Sequence, residues 1–410
     1  MTREEFRDAV HKGLGRAILY AHSNDVSEFR DIILDACLHN LAIDPQCEGT
    51  HGGYALNLIE KLPDRDFYCA EVLKALPDDQ ESWHARHRYY LAMNFALLGS
   101  EAAKRAMYGG YAPGPRFGEG IGNTFVQLDG LGGFLFAVDK LGALLLAGCD
   151  NYDHGWLMCD TDELSEHARW DALRAAAVDN PRAAAYLAAP TDRGTISNDS
   201  YDQLRPKLSQ REWAIQIGGW GRNATDADLN KAAHGLIAAT EADDQAGHLR
   251  IFRSADFPLG PEPLLALLDS QDHRVVHCAL TALEGVPHSK VRELAFRLIE
   301  THSSYRTEAI ALLRANFEPG DHAIALRWFE SETDPETIHG LSSDLRYLWE
   351  DHPDPTTETV MLHTSYERDY CSFNREFVVR RLLELDAVTD AMRAECPWDA
   401  NDQIRDLFKS

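Results

Sequence analysis

Apolar residues recur at helical spacing along residues 260–331, and this spacing constrains the fold more than any other feature of the chain. Five short helical segments follow one another there, separated by polar residues or by proline and glycine. Each segment carries a small residue near its middle, at Ala266, Ala279, Ala295, Ala311 and Ala325. Successive alanines lie 13, 16, 16 and 14 residues apart, so a helix pair recurs every 29 to 32 residues. A short amphipathic helix pair cannot bury its apolar face alone, and this period therefore predicts stacked helical hairpins.

Two segments inside this region share a further pattern, in which a polar start precedes valine and arginine and is followed by spaced alanine and leucine. The first is Asp272-His273-Arg274-Val275-Val276 with Ala279, Ala282 and Leu283, and the second is Ser289-Lys290-Val291-Arg292 with Ala295 and Leu298. These residues resemble HEAT-like (armadillo-type) helical repeats over about 70 residues. The resemblance implies an α-solenoid. It also implies a scaffold or binding platform, although a minority of the family are enzymes, including base-excising DNA glycosylases.

The rest of the chain is predicted to be helical as well. Stripes such as Phe6, Val10 and Leu14 repeat at spacings of three and four, and no series of alternating strands is visible. The predicted fold class is therefore all-α, an α-solenoid of stacked hairpins with irregular glycine-rich loop insertions. We divide it into an N-terminal helical repeat region at 1–187, an irregular linker at 188–225, and HEAT-like repeats with acidic capping helices at 226–410.

The segment 109–133 holds nine of the 28 glycines and is predicted to be an irregular loop. Long loops in compact arrays are often functional, so Tyr111, Arg116 and Phe117 are candidate partner-binding residues. A phosphate-binding loop at 118–122 is the alternative, although Glu119 would repel phosphate and the lysine of a P-loop is missing. A turn-rich connection that packs on neighbouring hairpins is the third reading.

The charge balance restricts the partners. The chain has 66 acidic and 40 basic residues, a net charge of −26, which argues against a nucleic-acid backbone and an anionic membrane surface as partners. Residues 317–410 hold 21 acidic and 9 basic residues and so carry −12 of this excess. The excess either serves solubility or receives a basic partner.

The sequence predicts a cytoplasmic protein. Residues 1–8 lack the apolar core of a secretory signal. The longest apolar stretch, 134–149, is interrupted by Asp139 and Lys140 and is too short to span a bilayer. The eight cysteines have no disulfide-scaffold spacing, as is usual in a reducing compartment.

An aromatic and basic helix face is a further candidate partner-binding surface. At helical spacing Trp83, His87 and Tyr90 share one face, and Arg86 and Tyr89 share another. Such a face can stack a base or hold an acidic peptide. The alternative is that the aromatic rings pack in the core while the charged groups are solvated.

Cys37, His39, Cys47 and His51 form a possible but weak metal-binding set. Thiolate and imidazole are zinc ligands, but this spacing matches no strong zinc pattern, and Cys37 falls on the apolar stripe of its helix. The sequence also lacks the Gly-x-Ser-x-Gly and His-Glu-x-x-His motifs. We therefore expect no cofactor and a non-enzymatic HEAT-like scaffold that binds a protein partner, plausibly a basic one. The alternatives are a HEAT-like enzyme acting on nucleic acid, of the DNA glycosylase type, and a metal-dependent small-molecule enzyme.

Overall fold

The computed structural model describes residues 1–79, 82–114, 118–149, 155–159, 164–189, 196–197, 199–210, 213–301 and 304–409. Within these ranges the chain forms 26 α-helices, several short 3-10 segments and no β-strand, which confirms the all-α prediction. No helix of the described ranges is both long and apolar enough to cross a membrane. Most helices pack against neighbours in the sequence or against the next helix but one.

The chain divides into two compact units: unit 1 comprises Met1–Asp192 and Asp369–Ser410, and unit 2 comprises Arg193–Arg368. The helices of unit 1 are α1 (Arg3–His11), α2 (Gly15–Ser23), α3 (Arg30–Leu38), α4 (Pro45–Glu48), α5 (Gly52–Ile59), α6 (Arg65–Ala75), α7 (Trp83–Leu97), α8 (Glu101–Gly110), α9 (Gly118–Asp129), α10 (Leu131–Leu146), α11 (Glu166–Ala177), α12 (Pro181–Ala188), α24 (Ser372–Glu384), α25 (Asp390–Glu395) and α26 (Asp402–Leu407). Those of unit 2 are α13 (Tyr201–Leu204), α14 (Ala214–Asn223), α15 (Asp226–Ala238), α16 (Ala242–Ile251), α17 (Glu262–Ala266), α18 (His273–Leu283), α19 (Ser289–Glu300), α20 (Ala309–Arg314), α21 (Asp321–Ser331), α22 (Pro335–Asp351) and α23 (Pro355–Arg368).

This division differs from the predicted domains, because 369–410 lies in unit 1 and not with the helices that precede it. Hydrogen bonds from two arginines attach it there. The fully buried Arg375 pairs with Asp399 within the segment at 2.9 Å, and it also donates to the carbonyl of Lys12 at 2.7 Å. Arg16 donates from Nε and Nη2 to the two carboxylate oxygens of Glu395, at 2.6 and 2.7 Å. The contacts of Arg375 with Lys12 and of Arg16 with Glu395 join residues more than 360 positions apart, which no local pattern reveals.

The glycine-rich segment 109–133 is mostly helical, so the prediction of an irregular loop there is wrong. It contains the end of α8, all of α9 and the start of α10. At Gly133 an added Cβ would lie 1.8 Å from the carbonyl oxygen of Phe125. Glycine at this position therefore lets α9 and α10 cross in close contact, and its presence reflects packing and not a loop. Part of the predicted linker 188–225 is also helical, since α13 and α14 lie within it.

The helices of unit 2 follow the predicted hairpin rhythm. All five segments of 260–331 are helices, and Ala279, Ala295, Ala311 and Ala325 are buried within them. Ala266 is exposed at the end of α17 and is the exception. In this unit α14 packs on α16, α16 on α18, and α20 on α22. A continuous apolar core runs from Ile196 to Leu313.

Candidate functional site

The predicted aromatic and basic face on α7 is divided between core and surface. His87 is fully buried, where its Nε2 donates to the carbonyl of Ala36 at 3.0 Å and its Nδ1 accepts from the Thr50 hydroxyl at 2.8 Å. Burial lowers the pKa of His87 to about 3, so the ring is neutral. Both ring nitrogens have protein partners, and the His87 ring packs inside unit 1.

The other α7 candidates also have packing roles. The guanidinium of Arg86 lies 5.5 Å from the centre of the Trp83 ring, on the side that faces Gly120 of α9. Burial lowers the pKa of Arg86. Tyr90 is half-buried and lies against Gly52. The four residues therefore do not form one exposed aromatic surface.

Tyr111 belongs to the core, where it is 2% exposed and its hydroxyl donates to the carbonyl of Gly118 at 2.8 Å. Its ring packs beside Phe125 with centroids 4.8 Å apart. Arg116 and Phe117, the other two candidates in this segment, lie outside the described residues. The described part of the glycine-rich segment thus provides helix packing.

The proposed metal ligands are not brought together. Cys37 is buried in the core while Cys47 is exposed, and burial raises the pKa of the Cys37 thiol far above its usual range. His39 contacts Asp35 at 2.7 Å, and His51 donates to Glu48 at 3.2 Å. Across the described ranges no group of three or more histidine, cysteine or acidic side chains is placed to hold a metal ion.

An open cleft of about 460 Å³ in unit 2 gathers the ends of four helices. It is lined by the residues at the C-terminal ends of α16, α18, α20 and α22, which are Phe252, Glu284, Ala315 and His352. Helix C-termini expose carbonyl groups and carry partial negative charge. The backbone alone therefore makes this cleft favourable for a positive group. We call it the acidic cleft.

A carboxyl group increases the negative character of the acidic cleft, because Glu284 lines it. Asp344 of α22 is not among the lining residues, but it lies close enough to Glu284 for that charge to raise its pKa. Within the described ranges neither Glu284 nor Asp344 has a hydrogen bond or an ion pair. An acidic residue at a helix C-terminus is unfavourable for stability, which marks Glu284 as a candidate functional residue.

Burial sets the protonation of this pair. It raises the pKa of Glu284 to about 7, and nearby Glu308 raises it further while Arg314 opposes the rise. Burial also raises the pKa of Asp344 to about 8, with added repulsion from Glu284. Burial thus disfavours the charged form of each carboxyl group, and Arg314 compensates for it only in part.

Two of the neighbouring charged groups, Arg314 and Glu308, are already paired. Arg314 donates from Nε to Asp351 at 2.8 Å, and its own backbone carbonyl accepts from His352 Nε2 at 2.7 Å. Glu308 contacts His277 at 3.0 Å and accepts from the hydroxyl of Thr307 at 2.8 Å. These pairings leave Glu284, Asp256 and Arg253 as the charged lining residues whose side chains have no hydrogen bond or ion pair in the described ranges.

The sequence reading missed the acidic cleft, although a signal for it exists. Phe252, Glu284, Ala315 and His352 are separated by 32, 31 and 37 residues, close to the hairpin period. Residues at the same place in successive hairpins meet at one edge of an array. The charge distribution within 317–410 is a second signal. Residues 317–368 hold 12 acidic and 3 basic residues, whereas 369–410 hold 9 and 6, so most of the excess lies in unit 2.

A scan against protein-family models and searches of curated proteins and of solved structures found no match to this chain. Function is therefore inferred from the geometry of the site itself.

Proposed function

We propose that the protein is a non-enzymatic scaffold that binds a basic segment of a protein partner, with the acidic cleft of unit 2 as its binding site. The observation that supports this proposal is Glu284, a carboxyl group that lines an open cleft and has no hydrogen bond or ion pair in the described ranges, with Asp344 close enough to it for the two charges to repel. An uncompensated carboxylate is costly to desolvate. A lysine or arginine side chain that enters the cleft supplies the missing charge and hydrogen-bond donors.

A HEAT-like α-solenoid is the architecture we propose for unit 2. Its support is the recurrence of helix pairs, the burial of four of the five spaced alanines, and the packing of α16 on α18 and α20 on α22. Such arrays bring equivalent positions of successive repeats to one edge, where they form an extended binding surface. The cytoplasmic location expected from the sequence belongs to the same proposal.

The two enzymatic alternatives receive less support. A nucleic-acid enzyme needs a basic surface, whereas the cleft is acidic and His87, one of the residues that suggested base stacking, is buried. A metal-dependent enzyme needs a ligand set, and none is found among the described side chains. The basic protein partner therefore remains the leading proposal.

Binding of a fluorescent arginine homopeptide, measured by anisotropy, tests the proposal. At a pH of about 8.5, where both carboxyls ionise, we expect saturable binding that weakens about ten-fold or more in the Glu284→Gln/Asp344→Asn variant. The matched control is Asp202→Asn/Glu262→Gln, which removes the same number of charges from exposed ion pairs of unit 2 outside the cleft lining.

The control separates a specific site from general attraction to an acidic protein. We expect the control variant to bind the peptide within about two-fold of the unaltered protein, because exposed charges are screened by salt. Equal weakening in both variants, or no binding by the unaltered protein, would contradict the proposal.

A further inference from the structure

Trp156 differs from the other tryptophans of the chain in its exposure. The chain has eight tryptophans, all within the described ranges, and Trp156 alone is exposed, at 58%. It begins the short 3-10 turn Trp156–Met158 of unit 1, whose other two residues are buried in an apolar core. Within the described ranges its indole ring has no hydrogen bond, ring contact or cation contact. The fold therefore presents a large aromatic ring to solvent at one defined turn.

Buried side chains of α9 hold the backbone on both sides of Trp156. Glu119, which is 3% exposed, accepts from the amides of Gly155 and Leu157 at 2.8 and 3.0 Å. Asn123 donates to the carbonyl of Trp156 at 3.0 Å. The φ of Gly155 is 126°, a conformation that favours glycine, so the turn also depends on the residue type at this position. Hydrogen bonds at three consecutive residues, 155–157, thus fix the turn that carries the indole.

Two further buried groups stiffen this arrangement. The fully buried Arg169 of α11 donates to the carbonyl of Leu157, and Tyr186 of α12 donates to the second carboxylate oxygen of Glu119. Removing charged side chains from water is costly, and here they hold a turn whose first side chain faces solvent. A single exposed apolar residue is ordinary on a protein surface, but one whose backbone is fixed in this way is pre-organised for binding. Tryptophan is among the residues most enriched at interface hot spots.

The charge of the surrounding sequence indicates what Trp156 would contact. Residues 141–168 contain six acidic residues and no lysine or arginine. A chain extends by at most about 3.5 Å per residue, so charges a few positions apart act together on a ligand at ordinary ionic strength. The face of an indole ring attracts cations, and tryptophan does so more strongly than tyrosine or phenylalanine. The exposed indole and the acidic sequence therefore favour the same ligand, a cationic side chain.

We propose that Trp156 anchors a second binding surface, on unit 1, that receives a lysine or arginine side chain of a basic protein partner. The cation packs on the indole face, and the acidic sequence around the turn attracts it. Because the turn is already fixed, the partner does not have to order it on binding. This surface is distinct from the acidic cleft of unit 2, and the proposal stands whether or not that cleft binds a partner.

Fluorine NMR of the full chain labelled with 5-fluorotryptophan observes this residue directly. The Trp156 resonance is identified by its absence from the spectrum of Trp156→Phe, which should fold because the ring is exposed. We expect a short arginine homopeptide to shift that resonance saturably, and a glutamate homopeptide of the same length to leave it in place. No shift with either peptide, or an equal shift with both, would overturn the proposal.

Peptide affinity, measured by anisotropy, is compared in the background Glu284→Gln/Asp344→Asn to reduce the contribution of the acidic cleft. There we expect Trp156→Ala to weaken binding of the arginine homopeptide about three- to ten-fold. Trp156→Phe should weaken it less, because phenylalanine retains part of the attraction for a cation. The control Leu98→Ala removes an apolar side chain of unit 1 that is 71% exposed and lies outside the turn, and it should change affinity less than about two-fold.

The outcomes separate the two binding proposals. Equal affinities for Trp156→Ala and Leu98→Ala overturn the role of Trp156 and leave the acidic cleft untouched. A saturable shift of the Trp156 resonance, together with no effect of the Glu284 and Asp344 substitutions on affinity, supports this proposal and contradicts the proposed function. Circular dichroism verifies that each variant folds.

Discussion

Neutralising Glu284 should stabilise unit 2 at high pH and have little effect at low pH. In the unfolded chain this carboxyl has its ordinary pKa of 4.5, whereas burial raises it to about 7 in the folded protein. The difference corresponds to about 3 kcal/mol of cost for the ionised form. Glu284 is only partly buried, so solvent screening reduces the expected effect to about 1–2 kcal/mol.

The pH window follows from the same shift. Below about pH 4 the carboxyl is protonated in both states and Glu284→Gln should be nearly neutral. As the pH rises through the unfolded value, the unfolded chain ionises first and the folded protein loses stability. The loss is complete above about pH 8, beyond the folded pKa. The variant avoids this loss, and the same sign applies to Asp344→Asn.

Hydrogen exchange with mass spectrometry provides the assay, because it reports on α18 and α22 separately from unit 1. At about pH 8.5 we expect protection of these helices to be five- to thirty-fold higher in Glu284→Gln than in the unaltered protein, and near equal at about pH 4. The control Asp202→Asn removes an exposed carboxylate and should change protection little at either pH. Equal or lower protection of the Glu284 variant at high pH would refute the view that this charge is uncompensated.

Three further outcomes are expected in unit 1, each measured by thermal or chemical unfolding. Gly133→Ala should destabilise the protein by about 2 kcal/mol or more, because the added Cβ would lie 1.8 Å from backbone. At Gly132 an added Cβ meets nothing within 4 Å, so Gly132→Ala should raise the stability of the protein by up to about 1 kcal/mol. Arg375→Ala should lower stability by about 3–5 kcal/mol, because it leaves the buried carboxylate of Asp399 without its arginine. Arg380→Ala removes a half-exposed ion pair and should lower stability by less than about 1 kcal/mol. Burial raises the pKa of Glu48, but hydrogen bonds from His51 and two backbone amides outweigh that effect and hold the pKa at about 2. The ionised Glu48 therefore stabilises the fold above about pH 4.5, and this stability is lost between about pH 4.5 and about pH 2. Glu48→Gln should remove it. Wild-type stability that is flat over that range, or an alanine at 133 that is tolerated as well as one at 132, would contradict these assignments.

Local patterns in the sequence determined the helices and their rhythm. The alanine spacing predicted five helices in 260–331, and Asp272, the polar start of the first repeat pattern, is the N-cap of α18, accepting from the Arg274 amide at 2.9 Å. Such features depend on residues a few positions apart, so they are visible without the fold. Glycine content wrongly predicted a loop at 109–133, because the role of a glycine depends on residues that are distant in the sequence. A glycine in a loop and a glycine at a helix crossing look alike until the partner helix is known, as Gly133 and the carbonyl of Phe125 illustrate.

Only the tertiary structure decided which distant residues meet. It placed 369–410 in unit 1 through the contacts of Arg375 with Lys12 and of Arg16 with Glu395, and it brought together the C-terminal ends of α16, α18, α20 and α22 around the acidic cleft. The sequence supplies dozens of acidic residues, and nothing local distinguishes Glu284 or Asp344 among them. Burial and mutual repulsion distinguish them, because a carboxyl's pKa depends on how far its charge is removed from water and on which charges surround it. Sequence periodicity thus determined the helices, and three-dimensional packing determined which carboxyl groups are buried together.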